Sequence, residues 1–222
     1  SGSARSPFHP TLGRDFEPNP GFHEGNSWNY SFYVPHDIPG LAKLMGGERK
    51  FVDKLQSVFD KDNYDPANEP DIAYPYLFTY FPKEAWRTQR ITSKLLSKYY
   101  RNEPSGIPGN DDTGAMSAWA IFTMLGFYPD CPGSMSYGLT TPTFDKVTIH
   151  LDTKYYKNPT LVIETRPVDE HTNRQHIYFD EFKIGNKLYK NTYRINHDEL
   201  MNTGKITFFT KLVGGTPEIT VD

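Results

Sequence analysis

The sequence predicts a mixed fold in which a helical part is followed by an all-β part. Apolar residues recur at helical spacing in residues 48–60 and 84–101, and each stretch leaves its charged side chains on the opposite face. Later stretches, such as residues 147–151 and 206–209, alternate apolar and polar side chains as strands do. Proline and glycine interrupt the chain between these two patterns, at residues 129–142. We therefore expect helical hairpins first and a small antiparallel β-sandwich after them.

The chain has 222 residues, which is enough for one large domain or two small ones. Residues 1–19 read as a linker or cloning scar followed by an extended, proline-rich entry segment. Residues 20–130 are predicted to form the helical hairpins. Residues 131–222 are predicted to form the sandwich.

The composition excludes several classes of function. The net charge is −3 and the two signs are mixed along the chain, so no footprint of nucleic-acid or membrane binding is expected. The single cysteine excludes an internal disulfide and a cysteine-based zinc site. No apolar run approaches the roughly 18 residues of a membrane span.

The most informative stretch is residues 106–122, in which a glycine-rich loop runs into an apolar helix. From Thr113 onward, apolar residues occupy nearly every side of that helix, which predicts that it is buried all round. Asp111 and Asp112 stand at the junction. Either they cap the helix, since an aspartate oxygen accepts orphan backbone N–H groups, or they belong to a site. The residues alone leave both interpretations open.

Two further polar loops precede helices, one around Glu24 and one around Asn68 and Glu69. Loops of helical hairpins converge at one end of a toroid or bundle, and a rigid scaffold positions them there. The chain has no phosphate-binding loop, no dinucleotide fingerprint and no serine–histidine–aspartate elbow. Carboxylates on opposed loops suit glycoside hydrolysis, and carboxylate and amide oxygens also suit a hard cation such as calcium.

Long, ordered motifs throughout the chain resemble those of the exo-α-mannosidases of glycoside hydrolase family 92. They occupy residues 23–30, 34–37, 44–47, 68–70, 75–77, 86–89, 109–119, 126–129 and 196–201. The family's architecture is an N-terminal β-sandwich, helical linkers, an (α/α)6 toroid and a C-terminal β-sandwich. The resemblance covers only the closing helices of the toroid and the last sandwich.

The resemblance implies a calcium-dependent, inverting enzyme that removes terminal α-linked mannose, with a lean towards α-1,2 linkages. It implies that Glu24 is the general acid and Asp112 the general base, with carboxyl groups about 6.5–9.5 Å apart. Asn68 and Glu69 would bind calcium or the sugar beyond the cleaved bond. The remaining residues implied to bind substrate are His23, Asn26, Trp28, Asn110 and Asp111.

The resemblance also implies partners. These are mannose-containing glycans, together with either the missing N-terminal part of the enzyme or a second copy of the chain, in a secreted, periplasmic or secretory-pathway setting. One alternative is a catalytically incomplete fragment that binds carbohydrate without turnover. Another is a purely structural domain, in which Asp111 and Asp112 only cap a helix.

Overall fold

The computed structural model describes residue 25, residues 27–168 and residues 177–212. Helices dominate the first part of these ranges and strands the second, so the mixed fold predicted from the sequence is confirmed. The α-helices are α1 (Ser27–Tyr30), α2 (Ile38–Leu44), α3 (Glu48–Asp60), α4 (Glu69–Ile72), α5 (Trp86–Tyr99), α6 (Ala115–Leu125) and α7 (His197–Thr203). The strands are β1 (Phe127–Tyr128), β2 (Ser136–Leu139), β3 (Lys146–His150), β4 (Thr160–Pro167), β5 (Ile177–Ile184), β6 (Lys187–Lys190), β7 (Arg194–Asn196) and β8 (Lys205–Leu212).

The aromatic run between α4 and α5 forms a 3₁₀ helix over Tyr74–Tyr80. Its aromatic side chains, including Tyr76 and Phe78, are buried in the core of the helical part. The high aromatic content of this run therefore fills a core and does not line an open cleft.

Helix α6 departs from the prediction that it is buried on every side. Met116 and Trp119 are buried, but Ile121 is 58% exposed and Ala118 is also exposed. An apolar helix is covered all round only when neighbours surround it, and within the described ranges no neighbour covers the side of α6 that carries Ala118 and Ile121. The prediction of full burial was wrong for this chain.

The strands form two sheets, one of three strands in the order β1-β2-β7 and one of five in the order β3-β4-β8-β5-β6. The predicted turn at Gly185 joins β5 to β6, where the glycine adopts a φ of 55°. The pairing of β4 with β8 is parallel, which corrects the expectation of a purely antiparallel unit. Parallel neighbours need a crossover between them, and the chain between β4 and β8 includes β5, β6, β7 and α7.

Two cores lie side by side. The first is formed by the helices and includes Phe51 and Trp119, and the second is formed mainly by the strands and includes Phe182 and Phe208. Helix α6 contributes to both, because Trp119 belongs to the first core whereas Phe122 packs against the second. The division into residues 20–130 and 131–222 stays a prediction.

A buried glutamine fastens α5 to the larger sheet. Gln89 Nε2 donates to the carbonyl of Phe179 at 3.0 Å, and Gln89 Oε1 accepts the amide N–H of the same residue at 2.9 Å. The Thr141 hydroxyl also donates to Gln89 Oε1, at 2.6 Å. The side-chain amide thus pairs with strand β5 where its ladder shifts register, between Phe179 and Glu181.

A half-buried arginine, Arg194, joins segments of the smaller sheet to one another and to the helical part. Arg194 of β7 donates to both carboxylate oxygens of Asp130, at 2.8 and 3.2 Å, and Asp130 is 3% exposed. The same guanidinium donates to Ser136 of β2 and to Thr79 of the 3₁₀ helix. One side chain therefore links three segments that are distant in sequence.

Across the part of the chain that the structure describes, every helix is too short or too polar to cross a bilayer.

Candidate active site

The two aspartates at the start of α6 have different environments. Asp111 Oδ1 accepts the backbone N–H groups of Met116 at 2.9 Å and Ser117 at 3.0 Å, and Asp111 Oδ2 accepts the Ser117 hydroxyl. The hydrogen bonds from Ser117 and Met116 hold the pKa of Asp111 below its ordinary value of 3.8, because they favour the ionised carboxyl. Asp111 is thus the cap of α6.

The turn between this cap and the helix is strained. Thr113 has a φ of 54° and Gly114 a φ of 78°, so two successive residues lie in the left-handed region. A β-branched residue is rarely found there, and such a conformation persists only where surrounding contacts impose it. The capping bonds of Asp111 and the N–H of Gly114, which donates to the carbonyl of Asp111 at 2.8 Å, supply those contacts.

Asp112 lies on this strained turn with its side chain in solvent. Within the described residues, no hydrogen bond or ion pair engages its carboxylate, although its carbonyl accepts the Thr113 hydroxyl at 2.7 Å. Asn110, on the other side of the cap, is also exposed. The first turn of α6 therefore uses one acid for its own structure and leaves the second accessible to a ligand.

Two aromatic side chains, Tyr100 and Trp119, pack together next to this turn. Tyr100 stacks on Trp119 of α6 with ring centroids 5.5 Å apart and an interplanar angle of 20°. Burial raises the pKa of Tyr100, and the nearby charge of Asp111 raises it further, so the phenol stays neutral beside the cap. This stack packs Tyr100 against α6, the helix that follows the turn of Asp112.

The loop that carries Asn68 and Glu69 touches the loop before Asp111. A Cβ atom built on Gly109 would lie 2.6 Å from the Cβ of Ala67, so only glycine permits this approach of the two loops. Asn68 is 6% exposed, whereas Glu69 is exposed at the start of α4. The structure thus brings together two of the three polar loops that the sequence singled out.

The third loop is joined to the second by a buried acid. Asp71 Oδ2 accepts Asn29 Nδ2 of α1 at 2.7 Å and the backbone N–H of Asp65 at 2.9 Å, and Asp71 is 0% exposed. Gly25, next to Glu24 in sequence, is buried against Asn29, because an added Cβ would lie 3.1 Å from Asn29 Oδ1. Asp71 therefore links the Asn68–Glu69 loop to the segment that follows Glu24.

Two tyrosines surround this link. The Tyr74 hydroxyl donates to the carbonyl of Asn29. Burial raises the pKa of Tyr64 and of Tyr74, and the charge of Asp71 raises both further. Both phenols therefore stay protonated at neutral pH.

The structure does not bear on every predicted site residue. His23, Glu24 and Asn26 lie outside the described residues. Trp28 is half-buried on α1, packs against the helical core, and has Lys54 Nζ 5.9 Å from its ring centroid. Its role in sugar binding stays a prediction, as does the distance between Glu24 and Asp112.

The donor types near Asn68 suit calcium, which prefers carboxylate and amide oxygens. Among the described residues, however, no three histidine, cysteine or acidic side chains lie close enough together to hold a metal ion. Asn68 and Glu69 fit the chemistry of such an ion, and further oxygen ligands would have to come from elsewhere.

Sequence reasoning missed the roles of Asp71, Asn29 and Tyr100. An acid in the first turn of a short helix is usually a solvated, dipole-stabilising residue, and nothing local distinguishes Asp71 from that case. One signal of its burial is present in the sequence: Asp71 lies between the apolar residues Pro70 and Ile72, just before an aromatic run.

Both the sequence and the fold of this chain resemble those of known proteins. The family model for the glycosyl hydrolase family 92 catalytic domain matches residues 1–211. An uncharacterized secreted glycosidase from Arthroderma benhamiae is 30% identical over 186 residues, which cover 83% of this chain and 23% of that protein.

Two solved structures from Bacteroides thetaiotaomicron are similar in fold. One is a family GH92 α-mannosidase that matches with a TM-score of 0.77 and 26% identity, over 95% of this chain and 27% of that one. It has also been solved in complex with mannoimidazole. The other is a family GH92 inverting mannosidase, with a TM-score of 0.76 and 27% identity, over 94% of this chain and 30% of that one.

The chain thus spans less than a third of the length of these relatives, since it covers 23% to 30% of each. The family match nevertheless extends over almost the whole chain and agrees with the fold. The chain belongs to glycosyl hydrolase family 92.

Proposed function

We propose that this chain forms the C-terminal part of the catalytic unit of an exo-α-mannosidase that removes terminal α-linked mannose from glycans. The observation that carries the proposal is the exposed carboxylate of Asp112, on a turn that Asp111 holds in place, beside the loop of Asn68 and Glu69. A reacting group on a rigid, strained turn is what a preorganised site requires. The mannosidase names of the two similar structures support the choice of substrate.

In the proposed mechanism, Asp112 is the general base of a single displacement. It takes a proton from water while the water oxygen attacks the anomeric carbon. Glu24 is the general acid and gives its proton to the leaving oxygen as the glycosidic bond breaks. The product mannose therefore has the opposite anomeric configuration to the substrate.

Asp111 acts through Asp112 by fixing the turn. Asn110 lies next to it in the exposed loop, and we assign Asn110, His23, Asn26 and Trp28 to the sugar. Calcium, held in part by Asn68 and Glu69, would supply a positive charge that polarises the hydroxyl groups of the mannose.

We also propose the finer features of the family for this chain. The helices would be the closing part of an (α/α)6 toroid, and the two sheets would belong to its C-terminal sandwich. The α-1,2 preference rests only on the residues that follow Asn68-Glu69-Pro70 in sequence. A secreted or periplasmic setting is supported by the name of the Arthroderma relative.

The uncovered face of α6 supports the proposal that a further part of the enzyme packs on this chain. Ala118 and Ile121 lie on this face, three residues apart, and both are exposed. Apolar helix faces left in water favour association. We propose that the N-terminal part of the catalytic unit covers this face, and self-association is the alternative. Light scattering tests this by comparing the oligomeric state of the chain alone with that of a longer family protein that contains the N-terminal part.

Hydrolysis of an aryl α-mannoside tests the enzymatic proposal. We expect turnover that a calcium chelator abolishes, and NMR should show inversion at the anomeric carbon. Asp112→Asn and Glu24→Gln should each lower kcat by about 10²–10⁴-fold, because each removes one proton-transfer group. Asp53→Asn, an exposed acid on α3, is the matched control and should leave the rate unchanged.

A second candidate function is carbohydrate binding without turnover. The open face of α6 is the observation that favours it. It predicts that mannose binds, that Asp112→Asn weakens binding, and that no product forms with any mannoside.

A further inference from the structure

A cavity of about 430 Å³ lies between the second half of α3 and the length of α5. Its volume falls within the range of about 300–1,000 Å³ that small-molecule sites occupy. None of the residues that line it belongs to the three polar loops described above. Apart from Tyr64, which also lies near Asp71, its lining is separate from the candidate active site.

Helix α5 lines the cavity with a row of four cations. Arg87, Arg90, Lys94 and Lys98 follow one another at intervals of three and four residues, which places them on one face of the helix. Asp60 and Asp62 also line the cavity, so the wall carries two more positive than negative charges.

Two of these cations are already engaged. Arg87 donates to Glu84 at 2.7 Å and to Gln56 at 3.0 Å, which fixes its guanidinium. Lys98 Nζ lies 3.4 Å from Asp62 Oδ1.

Arg90 and Lys94, by contrast, form no such contacts with carboxylates of the residues that the structure describes. Each is exposed, and neither forms an ion pair within the described part of the chain. Since they are four residues apart on a helix, their side chains can converge on one anionic group.

The floor and ends of the cavity are apolar and aromatic. The floor consists of buried or half-buried side chains, namely Phe59, Tyr64, Ile91 and Leu95. Trp86 stands at one end of the row of cations, with the Arg87 guanidinium 4.7 Å from its ring centroid. Tyr99 stands at the other end, with Lys98 Nζ 4.6 Å from its ring centroid.

This lining argues against coverage by another helix. Burying Arg90 and Lys94 under an apolar surface would leave two charges without water or a partner, at several kcal/mol each. The cavity thus differs from the apolar face of α6 and suits a ligand that brings its own negative charge.

We propose that the cavity between α3 and α5 binds an anionic sugar, one that carries a sulfate, phosphate or carboxylate group. Arg90 and Lys94 receive the anionic group, and the fixed guanidinium of Arg87 adds hydrogen bonds to it. Trp86, one helical turn before Arg90, contacts the apolar face of the sugar ring. The proposal does not depend on hydrolysis at Asp112, so each can fail without the other.

Titration followed by NMR and calorimetry tests this with four probes: glucose 6-sulfate, glucuronate, glucose and inorganic sulfate. We expect the two anionic sugars to bind and to shift resonances of α5. Glucose should show no binding, and inorganic sulfate should bind about tenfold more weakly or worse, because it lacks the ring. Affinity should fall as salt rises.

The double variant Arg90→Ala/Lys94→Ala should lose about tenfold or more in affinity, because it removes two charge-assisted contacts. The matched control Arg49→Ala/Lys50→Ala removes the same charge from exposed positions on α3, outside the cavity, and should bind as the parent does. Circular dichroism confirms that both variants fold.

Four results would overturn the proposal. They are equal binding of glucose and glucuronate, equal binding of inorganic sulfate and glucose 6-sulfate, unchanged affinity in the Arg90→Ala/Lys94→Ala variant, and binding of poly-glutamate in preference to all four probes. The last would assign the cavity to an acidic protein segment.

Discussion

The buried carboxylate of Asp71 is the strongest link between the loops of the candidate site, and its removal should be costly. Asp71→Ala leaves Asn29 Nδ2 and the N–H of Asp65 without their common acceptor. Hydrogen bonds to a charged group contribute about 1.5–3 kcal/mol each, which gives about 3–6 kcal/mol for the two. Relief of carboxylate desolvation and entry of water offset part of this, so we expect a net loss of about 2–4 kcal/mol.

Reversible denaturant unfolding followed by circular dichroism measures this loss. For a chain of this size, the melting temperature should fall by roughly 4–16 °C. Asp71→Asn should cost less, since an amide oxygen can take the place of Oδ2 and accept both donors. Asp53→Ala is the control, because Asp53 is exposed and its contact with Arg49 is 3.9 Å long.

The same substitution should also affect the site. Because Asp71 joins the Asn68–Glu69 loop to the segment after Glu24, Asp71→Ala should lower activity or sugar binding more than Asp71→Asn does. A free energy of unfolding within about 0.5 kcal/mol of the Asp53→Ala control would show that Asp71 does not hold these loops together.

Three other predictions concern the supports of the fold and the cap. Asp130→Ala should destabilise by about 1–3 kcal/mol, since it removes the carboxylate that accepts from the half-buried Arg194, and a loss below about 0.5 kcal/mol in urea unfolding would refute this. Gln89→Leu should cost about 1–3 kcal/mol by leaving the backbone groups of Phe179 unpaired, and undiminished hydrogen-exchange protection at that amide would contradict it. Because the folded pKa of Asp111 is depressed, its stabilising contribution should be complete above about pH 3.8 and lost as pH falls further. Carboxyl NMR titration should therefore place Asp111 below 3.8 in the folded protein, and a value at or above it would count against the cap.

The sequence predicted the helices, strands and turns better than it predicted how they pack against one another. Helices α3 and α5 and the hairpin at Gly185 follow from local periodicity and turn chemistry, which the residues themselves carry. The parallel pairing of β4 with β8 and the exposure of Ile121 depend on distant segments, about which local pattern carries no information.

The candidate site shows the same division. Sequence reasoning left open whether Asp111 and Asp112 cap a helix or form a site, and the structure separates them, because Asp111 alone bonds the first turn of α6. Asp71 was not recognised, because its burial results from packing against Asn29, 42 residues away. Resemblance to a family supplied the expected role of Asp112, which no spacing in the sequence could supply.

The central claim is that Asp112 is the general base of hydrolysis, whereas Asp111 stabilises the turn that carries it. It is tested most directly by the rate of aryl α-mannoside hydrolysis by the parent protein and by the variants Asp112→Asn and Asp111→Asn, each with its unfolding curve. We expect Asp112→Asn to unfold as the parent does and to lose about 10²–10⁴-fold in kcat, and Asp111→Asn to lower stability as well. An Asp112→Asn variant that keeps the parent's rate, or a parent protein that releases no mannose, would contradict the claim.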